Sequence, residues 1–442
     1  MSTIDRRGLA VTGATAESLD HFEQALAELQ CYRADPVASV DRAIAAASGF
    51  AMAHALRAWL HLLGTEPAGI PVARESHRAA AATAGTLRER GHVEAIGHLI
   101  EGRWHQASRV LEDVTVEAPR DALALLAGHQ IDFFTGHSRM LRDRIARALP
   151  AWDSTMPGYH SILGMHAFGL EETGDYARAE AAGRRGVELE PRDGWSQHAV
   201  AHVLEMQNRT SDGIAWMTAN PDGWAGDSFF KVHNWWHLAL YHFDQGDIDA
   251  VLHLFDTEIY GAKSGVVLDM VDAAALLWRL HLRGVDVGDR WKAVADNWAP
   301  IATAGTYAFN DLHAVMAFVG AGRRDAAVAV IAAQKQAMAR DDDNAMFTRD
   351  VGHDACRAVL AFGDGDHATA VNLLRPIRSI AHRFGGSHAQ RDVLDLTLIE
   401  AAFRSGNTAL AAALAAERLD TRPESPLARL FANRAETPRL VA

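Results

Sequence analysis

Apolar residues recur at three- and four-residue intervals along long Ala-rich stretches, and runs that alternate apolar with polar residues are scarce. That periodicity predicts amphipathic helices through most of the chain. The helices are punctuated at regular places. A turn that opens with Gly and continues with a polar or bulky residue begins at Gly102, Gly136, Gly174, Gly246, Gly322, Gly365 and Gly406. The intervals are 34, 38, 72, 76, 43 and 41 residues, and the two long ones divide near their midpoints at Asn208 and Gly284. Gly64 stands 38 residues before Gly102. A period near ~34 residues with small insertions marks tetratricopeptide-type helical hairpins, each of which needs its neighbours to bury its apolar face.

The stretch from His160 to Asp193 fits the repeat best. Small Ala167 and Ala179 stand where two helices must approach closely, and Pro191 stops the second helix. The unit from Arg88 places Ala95, Ala107, Leu111 and Pro119 equivalently. The expected fold is therefore all-α, a superhelical solenoid of stacked hairpins over residues 16–420. Residues 1–15 are expected as a flexible lead-in, and residues 421–442, with three prolines, as an irregular C-terminal cap. The Asn220–Ser228 segment, rich in turn residues, reads as an ordered loop between repeats.

Composition narrows the function classes. The 442 residues carry a formal net charge of −13, which argues by bulk electrostatics against nucleic acid and anionic membranes as partners. Two distant cysteines, Cys31 and Cys356, give neither a disulfide framework nor a thiolate zinc site. With no apolar leader and no long apolar run, the expected setting is the cytoplasm. A surplus of large apolar residues in 255–300, including Phe255, Ile259, Tyr260, Trp278, Trp291 and Trp298, suggests a covered outer face and hence a two-fold homodimer.

Several blocks are distinctive: Gly-Met-His-Ala-Phe-Gly-Leu-Glu-Glu (164–172), His-Ala-Val-Ala-His-Val-Leu-Glu-Met (198–206) and His-Asn-Trp-Trp-His-Leu-Ala-Leu-Tyr (233–241). With Asp-Ala-Ala-Ala-Leu-Leu-Trp-Arg-Leu (272–280), Phe-Asn-Asp-Leu-His-Ala (309–314) and Gly-Gly-Ser-His-Ala-Gln-Arg-Asp (385–392), they resemble the tetratricopeptide repeat protein 38 family over roughly residues 20–415. The resemblance implies the same fold and brings no established reaction with it.

First helices line the concave side of such repeats. There the register places Trp195, His198, His202 and Glu205 on one face, with His233 in the next unit and His237 and His313 at the edge of that face. Glu171 reaches the same side, with Glu172 beside it. Three readings fit this set. In the first, buried imidazoles bonded to carboxylates and carbonyls tie hairpins together, as buried polar groups require partners. In the second, Phe168, Trp195, Trp235 and Trp236 wall a ligand pocket whose His and Glu side chains orient a small molecule. In the third, the i, i+4 pairs His198/His202 and His233/His237 suit a divalent metal, with His198, His202 and His233 as ligands and Glu205 or Glu171 as general base.

Other features are weaker. Leu-Arg-Asp-Arg (141–144) reads as an ion-pair network between repeats, with His129, Gln130 and Asp132 either packing against it or approaching the groove. No phosphate loop, nucleophile elbow or dinucleotide fingerprint occurs. The leading expectation is a concave pocket that binds, and is equipped to transform, a small molecule. The alternatives are a metal-dependent hydrolase-like or lyase-like enzyme and a non-catalytic scaffold that takes a protein or peptide in its groove.

Overall fold

The computed structural model describes residues 3–436. Helices pair in chain order: Ala16–Gln30 with Pro36–Ala46, Ala51–Leu62 with Gly69–Thr83, Leu87–Ile100 with Trp104–Glu117, Ala122–Phe134 with Ser138–Ala148, and Tyr159–Glu171 with Tyr176–Leu189. Gly194–Met206, Thr210–Thr218, Lys231–Gln245 and Ile248–Leu254 follow in the chain, and Val267–Leu282 pairs with Arg290–Trp298. Ala308–Gly320 with Arg324–Ala337, His353–Gly363 with His367–Ile377, and His388–Arg404 with Thr408–Thr421 complete the series. The fold is all-α, a tetratricopeptide-type solenoid of helical hairpins.

Turn chemistry explains the period. Gly102, Gly136, Gly174, Gly246, Gly284, Gly322, Gly365 and Gly406 all adopt φ between 70° and 82°, the left-handed region that reverses the chain after a helix. Asn208 fills the same role at φ 56°, a conformation its short polar side chain tolerates. After the Ala51–Leu62 helix the left-handed residue is Thr65 (φ 57°), one residue beyond the expected Gly64, and after Ala16–Gln30 it is Tyr32 (φ 53°). Ala95, Ala107, Ala167 and Ala179 are fully buried, as helix-packing positions should be. A still closer approach occurs at Gly169. A Cβ there would lie 2.5 Å from backbone atoms of Leu141 and Arg142.

The chain divides into two compact units. The first comprises residues up to Val203 together with Asn220–Lys231. The second comprises Leu204–Ala219 and the residues from Val232 onward. In unit 1 the expected flexible lead-in has regular structure instead. Thr3–Ile4 pairs antiparallel with Ala10–Val11, and the buried Arg7 guanidinium donates to both oxygens of buried Glu23 at 2.8 and 2.9 Å. The 220–231 segment belongs to this unit through hydrogen bonds to the first hairpin. Ala34 N donates to Asp227 O (2.9 Å), Phe229 N to Tyr32 O (3.0 Å), and Arg33 Nη1 to Gly223 O (3.0 Å). In the 141–144 cluster, Arg144 forms its ion pair inside its own hairpin, Nε donating to Asp132 Oδ2 at 2.8 Å with neither side chain exposed, and it ties to the preceding hairpin by donating to the Ser108 hydroxyl at 2.9 Å.

Unit 2 corrects two expectations. Phe255, Ile259, Tyr260, Trp278, Trp291 and Trp298 are all buried within the unit, so the aromatic outer face that motivated a homodimer is interior packing. The irregular cap is in part a helix, Pro426–Glu436, whose Leu427, Ala428 and Phe431 are buried. The remainder of the cap, residues 437–442, lies outside the described residues. Among the described residues no helix is long and apolar enough to cross a membrane.

Candidate functional site

In unit 1 the predicted residues gather at the start of the Gly194–Met206 helix. Asp193 accepts the N–H groups of Trp195 and Ser196 at 3.0 Å and so caps that helix. The Trp195 ring stacks on Tyr32 (5.5 Å between centroids) and contacts Phe168 (5.1 Å), His198 (4.9 Å) and Phe230 (5.4 Å). His198 lies flat against Phe168 at 5.5 Å and edge-on to His202 at 4.4 Å. One turn further along, His202 Nδ1 stands 3.7 Å from Glu171 Oε2. Ligand atoms of Glu171, Glu172 and His202 all lie within 4.8 Å of one another, and all three residues are buried. His129 lies edge-on to Trp195 at 5.8 Å, and burial lowers its imidazole to about 3, so it is neutral. Gln130 donates to the Tyr32 hydroxyl at 2.6 Å.

Unit 2 holds the remaining predicted residues. His237 Nδ1 meets Glu205 Oε2 at 3.0 Å, and His233 Nδ1 meets both oxygens of Asp272 at 3.0 and 2.9 Å. Trp236 stacks on His233 at 5.4 Å and meets His237 edge-on at 5.1 Å, and the guanidinium carbon of the buried Arg279 lies 5.2 Å from its ring centroid. Arg279 spends its N–H groups on the carbonyls of Ala275 (3.0 Å) and Ala389 (2.7 Å). Burial pushes the Glu205 carboxyl up to about 7, against the pull of Arg422 and Arg279. Burial, then His233 and Arg279, drives His237 well below the ordinary imidazole range. Arg279 itself falls to about 10 by burial. His313 stands apart from these pairs. Its Nδ1 donates to Phe309 O one turn back at 2.8 Å, and burial lowers it to about 4.

A common rule underlies these contacts: an imidazole meets a carboxylate roughly one repeat away. His92 Nε2 bonds Asp121 (2.9 Å, 29 residues), His160 bonds Asp193 (2.8 Å, 33 residues), and His233 bonds Asp272 39 residues on. The pairs differ in chemistry. Burial would raise Asp121, but His92 and Arg88 hold its carboxyl far below the usual range, which is a structural ion pair. Glu205 lies at the opposite extreme, poised near neutrality. Sequence reasoning missed Asp272 and Arg279, although the repeat spacing from His233 was a usable signal for Asp272. Nothing local marked Arg279.

A separate open cleft of about 750 Å³ lies between the Gly69–Thr83 and Leu87–Ile100 helices. Arg74, Arg78, Arg90 and Arg103 line it with His77, His98, Glu94 and Glu101; none of the predicted site residues does.

No family model matches the chain. The solved structure of the human IFIT1 dimer with m7Gppp-AAAA is similar over 100% of this chain and 96% of that one, at 13% identity and a TM-score of 0.44. That neighbour is shown with m7Gppp-AAAA, and the expectation that nucleic acid is excluded as a partner is not maintained for this chain. The physical reason is local. A chain of net charge −13 still gathers four arginines in one cleft, and bulk charge does not govern what such a patch meets.

Proposed function

We propose that this chain is a helical-repeat protein that binds a small polar molecule at Glu205, His237 and Arg279 of unit 2 and exchanges a proton with it. The observation that carries the reading is the Glu205 carboxyl, raised to about 7 by burial while hydrogen-bonded to a neutral imidazole. A group near that value is present in both protonation states at neutral pH, as general acid–base work requires. Arg279 adds buried positive charge, Trp236 an apolar wall, and Asp272 fixes the orientation of His233. The 198–206 and 233–241 blocks that carry the resemblance to the tetratricopeptide repeat protein 38 family include Glu205, His233, Trp236 and His237, which supports a shared site without supplying a reaction. A cytoplasmic setting belongs to the same reading and fits two buried, free cysteines.

The test is native mass spectrometry of untagged protein, followed by analysis of what methanol releases. A bound species above the 48.0 kDa chain is expected, and Glu205→Gln should lose it. A bare wild-type chain whose melting does not respond to a panel of small carboxylic and hydroxy acids would count against the reading.

A second reading, metal binding, is supported by one observation in unit 1. Glu171, Glu172 and His202 offer two carboxylates and an imidazole at mutual ligand distance, a donor set suited to Mn²⁺, Fe²⁺ or Zn²⁺. Elemental analysis of untagged protein should then find a bound first-row metal that His202→Asn removes. Metal-free protein whose melting ignores added Mn²⁺ and Zn²⁺ would end it.

A further inference from the structure

Among the His–carboxylate pairs of unit 1, that of His160 is distinguished by what lies on the other edge of its ring. Nδ1 meets Asp193 Oδ2 at 2.8 Å, and Nε2 faces Cys31 Sγ at 4.0 Å. Asp193 is itself fixed: Oδ1 accepts two backbone N–H groups and Oδ2 the Ser196 hydroxyl at 2.7 Å. The order thiol, imidazole, carboxylate is that of a nucleophile, its base and the group that orients the base. Distances in such sites are often loose when no substrate is bound.

A second observation points to a ligand. Gln30, chain neighbour of Cys31, is 3% exposed, and its Nε2 has no hydrogen-bond partner among the described residues. A buried amide donor without a partner is costly unless something else accepts from it. This carboxamide lies against Gly158, two residues before His160, where a Cβ would fall 2.3 Å from Gln30 Nε2. Gly158 therefore leaves room for it at the N-terminus of the Tyr159–Glu171 helix, which carries the imidazole. Both side chains keep a small exposed area: Cys31 is 8% exposed and the His160 side chain 15%.

We propose that Cys31, His160 and Asp193 form a thiol–imidazole–carboxylate relay that accepts an acyl group from a small activated ester or thioester, with Gln30 donating to the developing oxyanion. The proton shared between Cys31 Sγ and His160 Nε2 rests on the imidazole, and Sγ attacks the acyl carbon. The new C–S bond forms as the bond to the leaving group breaks, and the leaving oxygen or sulfur takes the electron pair and the proton from Nε2. Water then attacks the thioester while His160 accepts its proton, the free acid departs, and the thiol is regenerated.

Charged and titratable groups facing the relay are Asp193, Glu190 and Arg192 from the loop before the Gly194–Met206 helix, and Tyr32 from the turn after Cys31. Burial alone would lower His160, but Asp193 and Cys31 raise it to about 10. Cys356 is the internal contrast. Burial and the neighbouring Asp311 push its thiol well above the ordinary range, and it meets Gln334 Nε2 at 3.2 Å, the surroundings of an inert thiol.

The experiment uses the full chain and p-nitrophenyl acetate at pH 7, reading nitrophenolate release and the mass of the cysteine-bearing peptides. The native protein should become acetylated on Cys31 and not on Cys356, at least about tenfold faster than Cys31 of the same chain unfolded in urea. Asp193→Asn, which keeps an oxygen for the helix-capping N–H groups, should slow acetylation of Cys31 about tenfold or more. Native Cys31 that reacts no faster than in the unfolded chain behaves as a buried structural thiol and overturns the proposal, whatever the variant does. A folded Asp193→Asn protein with the wild-type rate overturns the relay equally. None of these readouts involves Glu205, His237 or Arg279, so this site and the unit 2 site stand or fall separately.

Discussion

Asp132 and Arg144 illustrate how much one residue can matter inside such a stack. Both are fully buried, and Arg144 also donates to the Ser108 hydroxyl at 2.9 Å. Replacing Arg144 by Met leaves a buried carboxylate with no countercharge, an expected loss of about 3–5 kcal/mol in urea unfolding. Replacing Asp132 by Leu in the same protein should recover most of that loss, because the desolvated pair itself contributes little net stability. The sequence offered Asp132 either to this cluster or to the groove; only the packing of the two helices decides for the cluster. Asp311 in unit 2 makes a pH prediction. Burial raises its folded carboxyl to about 7, whereas the unfolded group titrates near ~4. The folded state then holds the extra proton between those values, so stability falls as pH rises through the window and is flat above it. The slope from this one group is at most about 1.4 kcal/mol per pH unit. Urea unfolding of Asp311→Asn at pH 5 and pH 7.5 should lack this contribution.

At the scale of the element, two glycines separate backbone strain from close packing. Gly174 sits at φ 82° with nothing within 4 Å of where a Cβ would stand, so Gly174→Ala should cost only about 1 kcal/mol of left-handed strain. Gly169 is ordinary helix, but a Cβ would press on the Leu141–Arg142 backbone at 2.5 Å, which cannot yield as a side chain could. Gly169→Ala should therefore be the worse change, by more than about 2 kcal/mol in melting or urea titrations. Equal effects would show that the two helices part easily. The turn glycines were legible because a left-handed residue recurs wherever a hairpin reverses, and few residues accept that conformation. Gly169 was not, since its role depends on where another helix lies. The same division holds for the sites. His198, His202 and Glu205 share a helical face that the register alone predicts. Cys31 and His160 stand 129 residues apart, beyond any local pattern, and the Thr3–Ile4 and Ala10–Val11 strands are too short to announce themselves.

For the molecule as a whole, the telling fact is that unit 1 is not one continuous stretch of chain. Its first hairpin is completed by Asn220–Lys231, with an antiparallel bridge between Arg33 and Ser228 and a Ser228 hydroxyl bond to Tyr32 O. Phe230 also packs on Trp195 and His198. A fragment ending at residue 206 should therefore melt lower and digest faster than one ending at 231, although it contains every hairpin helix of the unit. Indistinguishable fragments would make the returning segment ornamental. The same connection sets a schedule for the chain as it leaves the ribosome. The Tyr32 carbonyl waits for a partner 196 residues later. At synthesis rates of roughly 5–20 residues per second, that delay is on the order of ten to forty seconds. For that interval the Tyr32 carbonyl, the Ala34 N–H and the Arg33 guanidinium of the nascent first hairpin lack the partners that the returning segment brings, which makes this turn the natural place for a chaperone to hold the growing chain.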